Sequence, residues 1–384
     1  LHGEPQVRIG LQVRVADAAI ELQGDYEVQL PGKPVQRLRA GSLRAGVVQG
    51  ALLLWLPDGN ELDSRSDIWL HPLLRESRFH LGDHSYRGSL RLLLVDGAIT
   101  LINELPLEMY LRGVVPWEIG WRDPTEAAAV EAQAIAARTY SCKRLGQFEE
   151  QGFDMLPDVM DQVYRGTTRE DSLANAAIRA THGMVVSSRD TLIEAYYSST
   201  CGGHTSRIEE VWDKPAAPYL VGRFDRMTPS GTALCAGSRH FRWTEAWSGA
   251  GLDSVLQETL PRELAWPADR RPGRLLDLRT VGRDASGRVR ALEIVTTAGT
   301  WTVRGDRIRW VLRPDGRAIL RSTLFELQVE REVGEVVRVV ARGGGNGHGV
   351  GLCQMGALEM ARRGASAQDI LSHYYPQTRV SALY

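Results

Sequence analysis

The tightest local constraint in the chain is Asp123-Pro124-Thr125-Glu126, which dictates where a helix begins. Asp123 offers a capping oxygen, Pro124 fits the first helical position because no N–H is needed there, and Glu126 stands three residues after the cap. Beyond it Ala127, Val130, Ala134, Ala137 and Cys142 recur near the helical period, with small side chains that let another element approach closely, and Gly146 is placed to end the helix. Immediately before the cap runs Val114-Val115-Pro116-Trp117-Glu118-Ile119-Gly120-Trp121. A carboxylate between two tryptophans beside a helix start sits where water is scarce, and desolvation raises a carboxyl pKa, as a general acid requires. The competing reading makes both tryptophans core residues and Glu118 a solvated turn carboxylate.

Upstream, short apolar runs at Val7–Val15, Ile20–Leu22, Tyr26–Leu30, Leu52–Leu56 and Arg87–Val95 are punctuated by Gly24-Asp25, Pro31-Gly32, Pro57-Asp58-Gly59-Asn60 and Asp96-Gly97. This predicts a β-rich module over residues 1–97, followed by a strand at Ile99–Pro106. His71, His80 and His84 fall within it but lack ligand spacing, and read as loop histidines. A second helix is signalled by Thr168 with Asp171 three later, closing at Gly183 and leading to a hairpin, Met184–Ser188 and Thr191–Ser199, that turns at Arg189-Asp190. Residues 206 to about 341 alternate loops with strand signals around a partly helical stretch at Gly249–Arg274. A helix from about Cys353 to Arg363 follows, and Ser366 with Asp369 caps a last one that Pro376 limits.

Four further stretches carry chemistry-bearing residues. On the long helix, Glu131, Gln133, Arg138 and Tyr140 interleave with alanines. Tyr196-Tyr197-Ser198-Ser199-Thr200-Cys201-Gly202-Gly203-His204-Thr205 is an aromatic strand ending in a hydroxyl-rich turn whose glycines let backbone amides approach a ligand. Glycines at 343, 344, 345, 347, 349 and 351 surround His348. No Lys-Ser/Thr follows them and no βαβ unit holds them, which excludes a phosphate-binding loop. The exposed imidazole suits a substrate contact or a proton partner. Finally, Cys201-x-x-His204 and Cys235-x4-His240 supply four ligands chemically suited to zinc; a Cys201–Cys235 disulfide and two free thiols are the alternatives.

With 46 basic against 47 acidic residues, the chain has no net field for steering towards nucleic acid or anionic lipid. It contains no run of 18 apolar residues that would span a membrane. Leu1-His2-Gly3-Glu4-Pro5 is not a signal peptide, and a start without Met is consistent with a leader lost from view.

Four ordered blocks resemble the SpoIID/LytB family, that is, stage II sporulation protein D and the amidase enhancers. They are Asn103-Glu104-Leu105-Pro106-Leu107-Glu108-Met109-Tyr110-Leu111-Arg112-Gly113-Val114-Val115-Pro116-Trp117-Glu118, Glu131-Ala132-Gln133-Ala134-Ile135-Ala136-Ala137-Arg138-Thr139-Tyr140, Tyr197 to Thr205, and Gly347-His348-Gly349-Val350-Gly351-Leu352-Cys353-Gln354-Met355-Gly356-Ala357. The resemblance implies an α+β fold: after the N-terminal module, a catalytic region over 98–384 whose helical part (about 107–183 plus 353–375) and β-rich part (about 206–341) form a cleft. It implies a peptidoglycan lytic transglycosylase that cleaves between N-acetylmuramic acid and N-acetylglucosamine in strands free of stem peptides, leaving 1,6-anhydro ends. Glu118 would be the single acid/base, with Trp117, Arg138, Tyr140, Tyr197, Ser199, Thr205, His348 and Gln354 as substrate contacts. Catalysis would need no cofactor, and a zinc on Cys201, His204, Cys235 and His240 would brace a loop. An exported location, periplasmic or wall-associated, and a cell-wall amidase as partner are further implications. Plain hydrolysis and a non-catalytic wall-binding module are the alternatives. Cys353-Gln354-Met355-Gly356 stands where the family commonly has Ser-Gln-Tyr-Gly, which removes an aromatic surface.

Overall fold

The computed structural model, which describes residues 3–314, 316 and 318–384, turns the N-terminal strand signals into two antiparallel six-stranded sheets. Asp17–Gln23 illustrates why: Ala18, Ile20 and Leu22 point inward while the residues between them face solvent, the period-2 signature of a half-buried strand. One sheet runs Gln6–Val15, Ala98–Pro106, Ser89–Val95, Asp67–Pro72, Tyr26–Gln29, Gln36–Leu38. The other runs His84–Tyr86, Arg78–Leu81, Asp17–Gln23, Gly41–Val48, Ala51–Trp55, Glu61–Ser64. Gly41–Val48 and the short strands at 61–64, 67–72, 78–81 and 84–86 carried no clear signal, being brief or rich in charged and small residues.

The chain divides into two units, Leu1–Glu194 with Arg379–Tyr384, and Ala195–Thr378. Residue 97 lies elsewhere, in the Asp96-Gly97 turn joining Ser89–Val95 to Ala98–Pro106, where both turn residues have positive φ. Ala98–Pro106 pairs on both edges, so it is an interior strand of the N-terminal sheet. It runs directly into α1 (Leu107–Arg112), and then α2 (Val115–Ile119).

The predicted capping box is present. Thr125 N–H donates to Asp123 Oδ1 at 3.0 Å and Asp123 N–H donates to Glu126 Oε2 at 3.0 Å, opening a single 3-10 turn that continues into α3 (Ala127–Arg144). The cap of α4 (Ser172–Ala180) is Asp171 itself, receiving the Ala174 N–H at 2.8 Å, while Thr168 bonds back to Arg165. Met184–Ser188 and Thr191–Leu192 form the expected hairpin, with φ of 48° at Arg189 and 63° at Asp190 as a type I′ turn demands. Its second strand stops at Leu192 rather than Ser199, and the other edge of Met184–Ser188 takes Arg379–Ala382.

In the second unit, the helix Gly249–Glu263 and two three-stranded antiparallel sheets share a core that includes Leu252, Leu256, Leu278, Leu292, Ile294 and Val339. Tyr197–Ser198 pairs in parallel with Leu352–Cys353, which leads into the helix Gln354–Arg362. Ser366 and Asp369 make the expected capping box of the helix Ala367–Tyr374. Mixed helix and sheet in segregated blocks is the α+β class. Among the described residues no helix is long and apolar enough to cross a membrane.

Candidate active site

Glu118 sits in the last turn of α2, half-buried, its amide bonded to Val114 O at 3.0 Å. Gly120 ends the helix at φ 77°, ψ −178°, a conformation that only glycine adopts without strain. This sharp exit sends Trp121 outward, 68% exposed, so the expected enclosure between two tryptophans is corrected to one. Trp117 remains half-buried under two guanidiniums, with Arg169 Cζ 3.8 Å and Arg165 Cζ 5.4 Å from its ring.

Glu118 Oε1 accepts the backbone N–H of Val163 at 2.8 Å. That amide comes from an irregular segment between Phe153 and Asp171 that sequence reasoning passed over. Tyr164 anchors it, buried against Tyr110 with ring centroids 4.8 Å apart and donating its hydroxyl to Asn103 Oδ1 at 2.8 Å. Asp161 anchors it again, accepting Leu156 N–H at 2.8 Å and the Tyr140 hydroxyl at 3.0 Å. The readable signal is an aromatic followed by a charged residue and a glycine, Tyr164-Arg165-Gly166, without helical or strand period.

Two expected substrate contacts on α3 are corrected by burial. Arg138 has no exposed surface: Nε and Nη2 form a bidentate pair with Glu108 at 2.6 and 2.8 Å, and the remaining donors reach Ile178 O and Met184 O. Tyr140 is 6% exposed, with Arg144 over its ring and burial pushing its phenol well above the ordinary value. The cause is the alanine-rich surface of α3, packed so closely that its polar side chains turn inward and find partners there; Gln133 is likewise buried.

In the second unit, Tyr197 and Ser199 are partly exposed, on and just after the short parallel strand. His348 is partly covered: Trp212 lies tilted against it with ring centroids 4.8 Å apart, Tyr196 stands at 6.0 Å, and its Nδ1 accepts the Val350 N–H at 3.1 Å. Burial lowers its pKa to about 4, which favours the neutral imidazole at pH 7. Lys214 lies over both the Tyr196 and Trp212 rings, completing a cluster of which the sequence reading had only His348 and the tyrosines. Thr205 is 2% and Gln354 6% exposed; Thr205 Oγ1 accepts Arg223 N–H at 3.1 Å. Both are therefore corrected to internal positions.

The expected ligand set does not assemble. His204 Nδ1 donates to Thr205 O at 2.6 Å with its ring against Phe224, and His240 Nε2 accepts from Arg239 Nε at 3.0 Å. Cys201 and Cys235 do meet, with sulfurs 3.6 Å apart as free thiols, and their neighbours are Cys353 and Asp225. Burial raises the Cys201 and Cys353 thiols, while hydrogen bonds from both hold Cys235 low, and burial raises Asp225 to about 7. His71, His80 and His84 stand in separate settings, on Ser89, Gln23 and Arg165.

Residues 95–187, the segment that builds Glu118 and its surroundings, match the family described as Stage II sporulation protein, and residues 232–351 match a domain of unknown function, DUF8618. An uncharacterised protein of Brachyspira hyodysenteriae is 28% identical over 303 residues, covering 77% of this chain and 72% of that protein. Stage II sporulation protein D of Bacillus subtilis is 28% identical over 73% of this chain and 76% of its own length. The amidase enhancer of Bacillus subtilis is also 28% identical, over 71% of this chain, which spans 40% of that longer protein. The family match over residues 95–187 and the similarity to stage II sporulation protein D and the amidase enhancer support assignment of the chain to the SpoIID/LytB family.

Proposed function

We propose that the protein acts on the bacterial cell wall as a lytic transglycosylase, with Glu118 as its acid/base. The observation that carries this reading is the placement of Glu118: a half-buried carboxylate on a short helix, hydrogen-bonded to the Val163 amide, beside the partly buried Trp117 and near the exposed Trp121. Hydrolysis by the usual pair of carboxylates needs a second acidic group at a defined separation to drive water or a nucleophile. Internal attack by the muramic acid 6-hydroxyl needs only one. Glu118 protonates the glycosidic oxygen as the bond to N-acetylglucosamine breaks, then accepts the proton of the 6-hydroxyl as that oxygen closes on the anomeric carbon. The carboxyl returns to its starting state and the product ends in a 1,6-anhydro ring. The Val163 N–H fixes one carboxylate oxygen, leaving the group pre-aimed at no cost in side-chain freedom during reaction. Trp121, with its apolar face in water, suits stacking on a sugar ring.

Export to the wall and association with an amidase accord with this reading. The test is digestion of stem-free peptidoglycan by the wild type and by Glu118→Gln, with products analysed by mass. Anhydromuramyl ends from the wild type, reduced about 10²–10⁴-fold or more in the variant, are expected for loss of a positioned acid/base. Reducing ends carrying added water make the protein a hydrolase. Absence of cleavage, with retained pelleting on glycan, makes it a binding module of the kind an amidase recruiter needs.

A further inference from the structure

Four buried side chains that the proposed reaction does not use face one another in the second unit. The sulfurs of Cys201, Cys235 and Cys353 and a carboxylate oxygen of Asp225 all lie within 4.8 Å of one another. They come from four separate stretches: the turn after Tyr197–Ser198, the loop at 225, the 3-10 turn Leu234–Gly237, and the end of Leu352–Cys353. We propose that these four residues, and not the two histidines, form a tetrahedral zinc site that pins the Tyr197–Ser198 and Leu352–Cys353 strand pair to the 225–237 loops.

The spacing fits the ion. Zinc–sulfur bonds of about 2.3 Å and zinc–oxygen bonds of about 2.0–2.2 Å set neighbouring tetrahedral ligand atoms roughly 3.4–3.8 Å apart. Cys201 Sγ and Cys235 Sγ are 3.6 Å apart. A multi-iron cluster spreads its ligands over several metal atoms and needs a wider cage. Three soft thiolates with one carboxylate suit zinc better than calcium or magnesium, which take oxygen.

The surroundings are those of a supported ligand set. Cys353 Sγ accepts the Cys201 N–H at 3.2 Å, Asp225 Oδ2 the Cys235 N–H at 3.2 Å, and Asp225 Oδ1 the Tyr374 hydroxyl at 2.7 Å. Such partners orient ligands and tune their basicity. Position 356 has to be glycine, because a Cβ there would stand 2.0 Å from the Tyr374 hydroxyl and 2.8 Å from Asp225 Oδ1. Three thiolates and a carboxylate exceed the charge of one zinc. The fully buried Arg288, with Nη2 on Cys201 O at 2.6 Å, offsets part of the excess.

The proposal is independent of the glycan chemistry, and its readout is metal content. Elemental analysis of the full chain is expected to give one zinc per molecule, retained by a His204→Ala/His240→Ala double variant and lost, or bound at least tenfold more weakly, in Cys353→Ser and Asp225→Asn. Cobalt exchange is expected to show thiolate-to-cobalt charge transfer with the intense d–d bands of a tetrahedral ion. Should the Cys353 variant fail to fold, titration of the wild type with a mercurial decides the matter: zinc is expected to be released in step with thiol modification. A wild type free of metal after refolding with zinc, a mass two hydrogens light from a Cys201–Cys235 disulfide, or zinc kept by Cys353→Ser but lost from the histidine double variant each overturns it.

Discussion

Arg138 is charged and wholly inside the protein, so its worth is decided by its partner. Burial alone would raise the Glu108 carboxyl, but the Arg138 hydrogen bonds and charge, the Tyr384 hydroxyl and the Gly183 amide outweigh it, and the pKa falls below its ordinary 4.5. Removing one member of such a pair strands the other as an uncompensated buried charge, at a cost of about 3–5 kcal/mol. Glu108→Ala is expected to lose about that much in urea unfolding of the first unit, whereas Glu108→Leu combined with Arg138→Met recovers most of it. Because the folded pKa lies below the unfolded one, the pair's stabilisation is fully present above about pH 4.5 and is lost as pH falls through the lower folded value. Wild type is therefore expected to weaken below pH 4.5 more steeply than Glu108→Gln, which has no carboxyl to titrate. A flatter or equal acid limb in the wild type would contradict the assignment. Sequence alone showed Arg138 as a polar residue among alanines, equally consistent with a wet surface or a substrate contact; its acceptor stands thirty positions earlier, on α1, and only the packing of α1 against α3 identifies it.

Helix starts were readable because the capping chemistry is local: Asp123 and Glu126, and Ser366 and Asp369, each lie within one turn of the amides they satisfy. The aim of Glu118 was not readable in the same way. It depends on an acceptor–donor pair 45 residues apart and on a glycine whose role is conformational. Gly120 holds φ 77° with ψ near 180°, and a side chain there is strained by about 1–3 kcal/mol whatever space surrounds it. Gly120→Ala is expected to lower stability by that amount and to re-aim the end of α2. The sensitive reporter is the Val163 amide, whose hydrogen exchange is expected to accelerate relative to that of Leu156, which bonds to Asp161 rather than to α2. Equal acceleration at both amides would mean general loosening and no specific link between Gly120 and the carboxylate.

Across the chain, period-2 runs and turn residues were enough for the N-terminal sheets, yet the thiol cluster was half found. Cys201 and Cys235 do lie side by side, but sequence spacing points to the nearest histidines as their companions, while Cys353 lies 152 positions from Cys201 and Asp225 carries no spacing motif. Long-range closure also governs the first unit, whose last strand, Arg379–Ala382, arrives after 184 residues spent in the second, from Ala195 to Thr378. That strand pairs antiparallel with Met184–Ser188 from Met184 opposite Ala382 to Ser187 opposite Arg379, and Tyr384 beyond it reaches Glu108. Without it, Met184–Ser188 becomes an edge strand and the buried Glu108 loses one of its donors. Truncation after Thr378 is therefore expected to destabilise the first unit by several kcal/mol, a lost ladder at about 0.5–1.5 kcal/mol per hydrogen bond together with the Tyr384 contact. Hydrogen exchange at Val185 and Val186 is the direct measure: loss of protection there, with the Gly249–Glu263 helix of the second unit unchanged, is the expected pattern. If protection at Val185 and Val186 survives truncation, the returning strand is an ornament on the first unit rather than part of its fold.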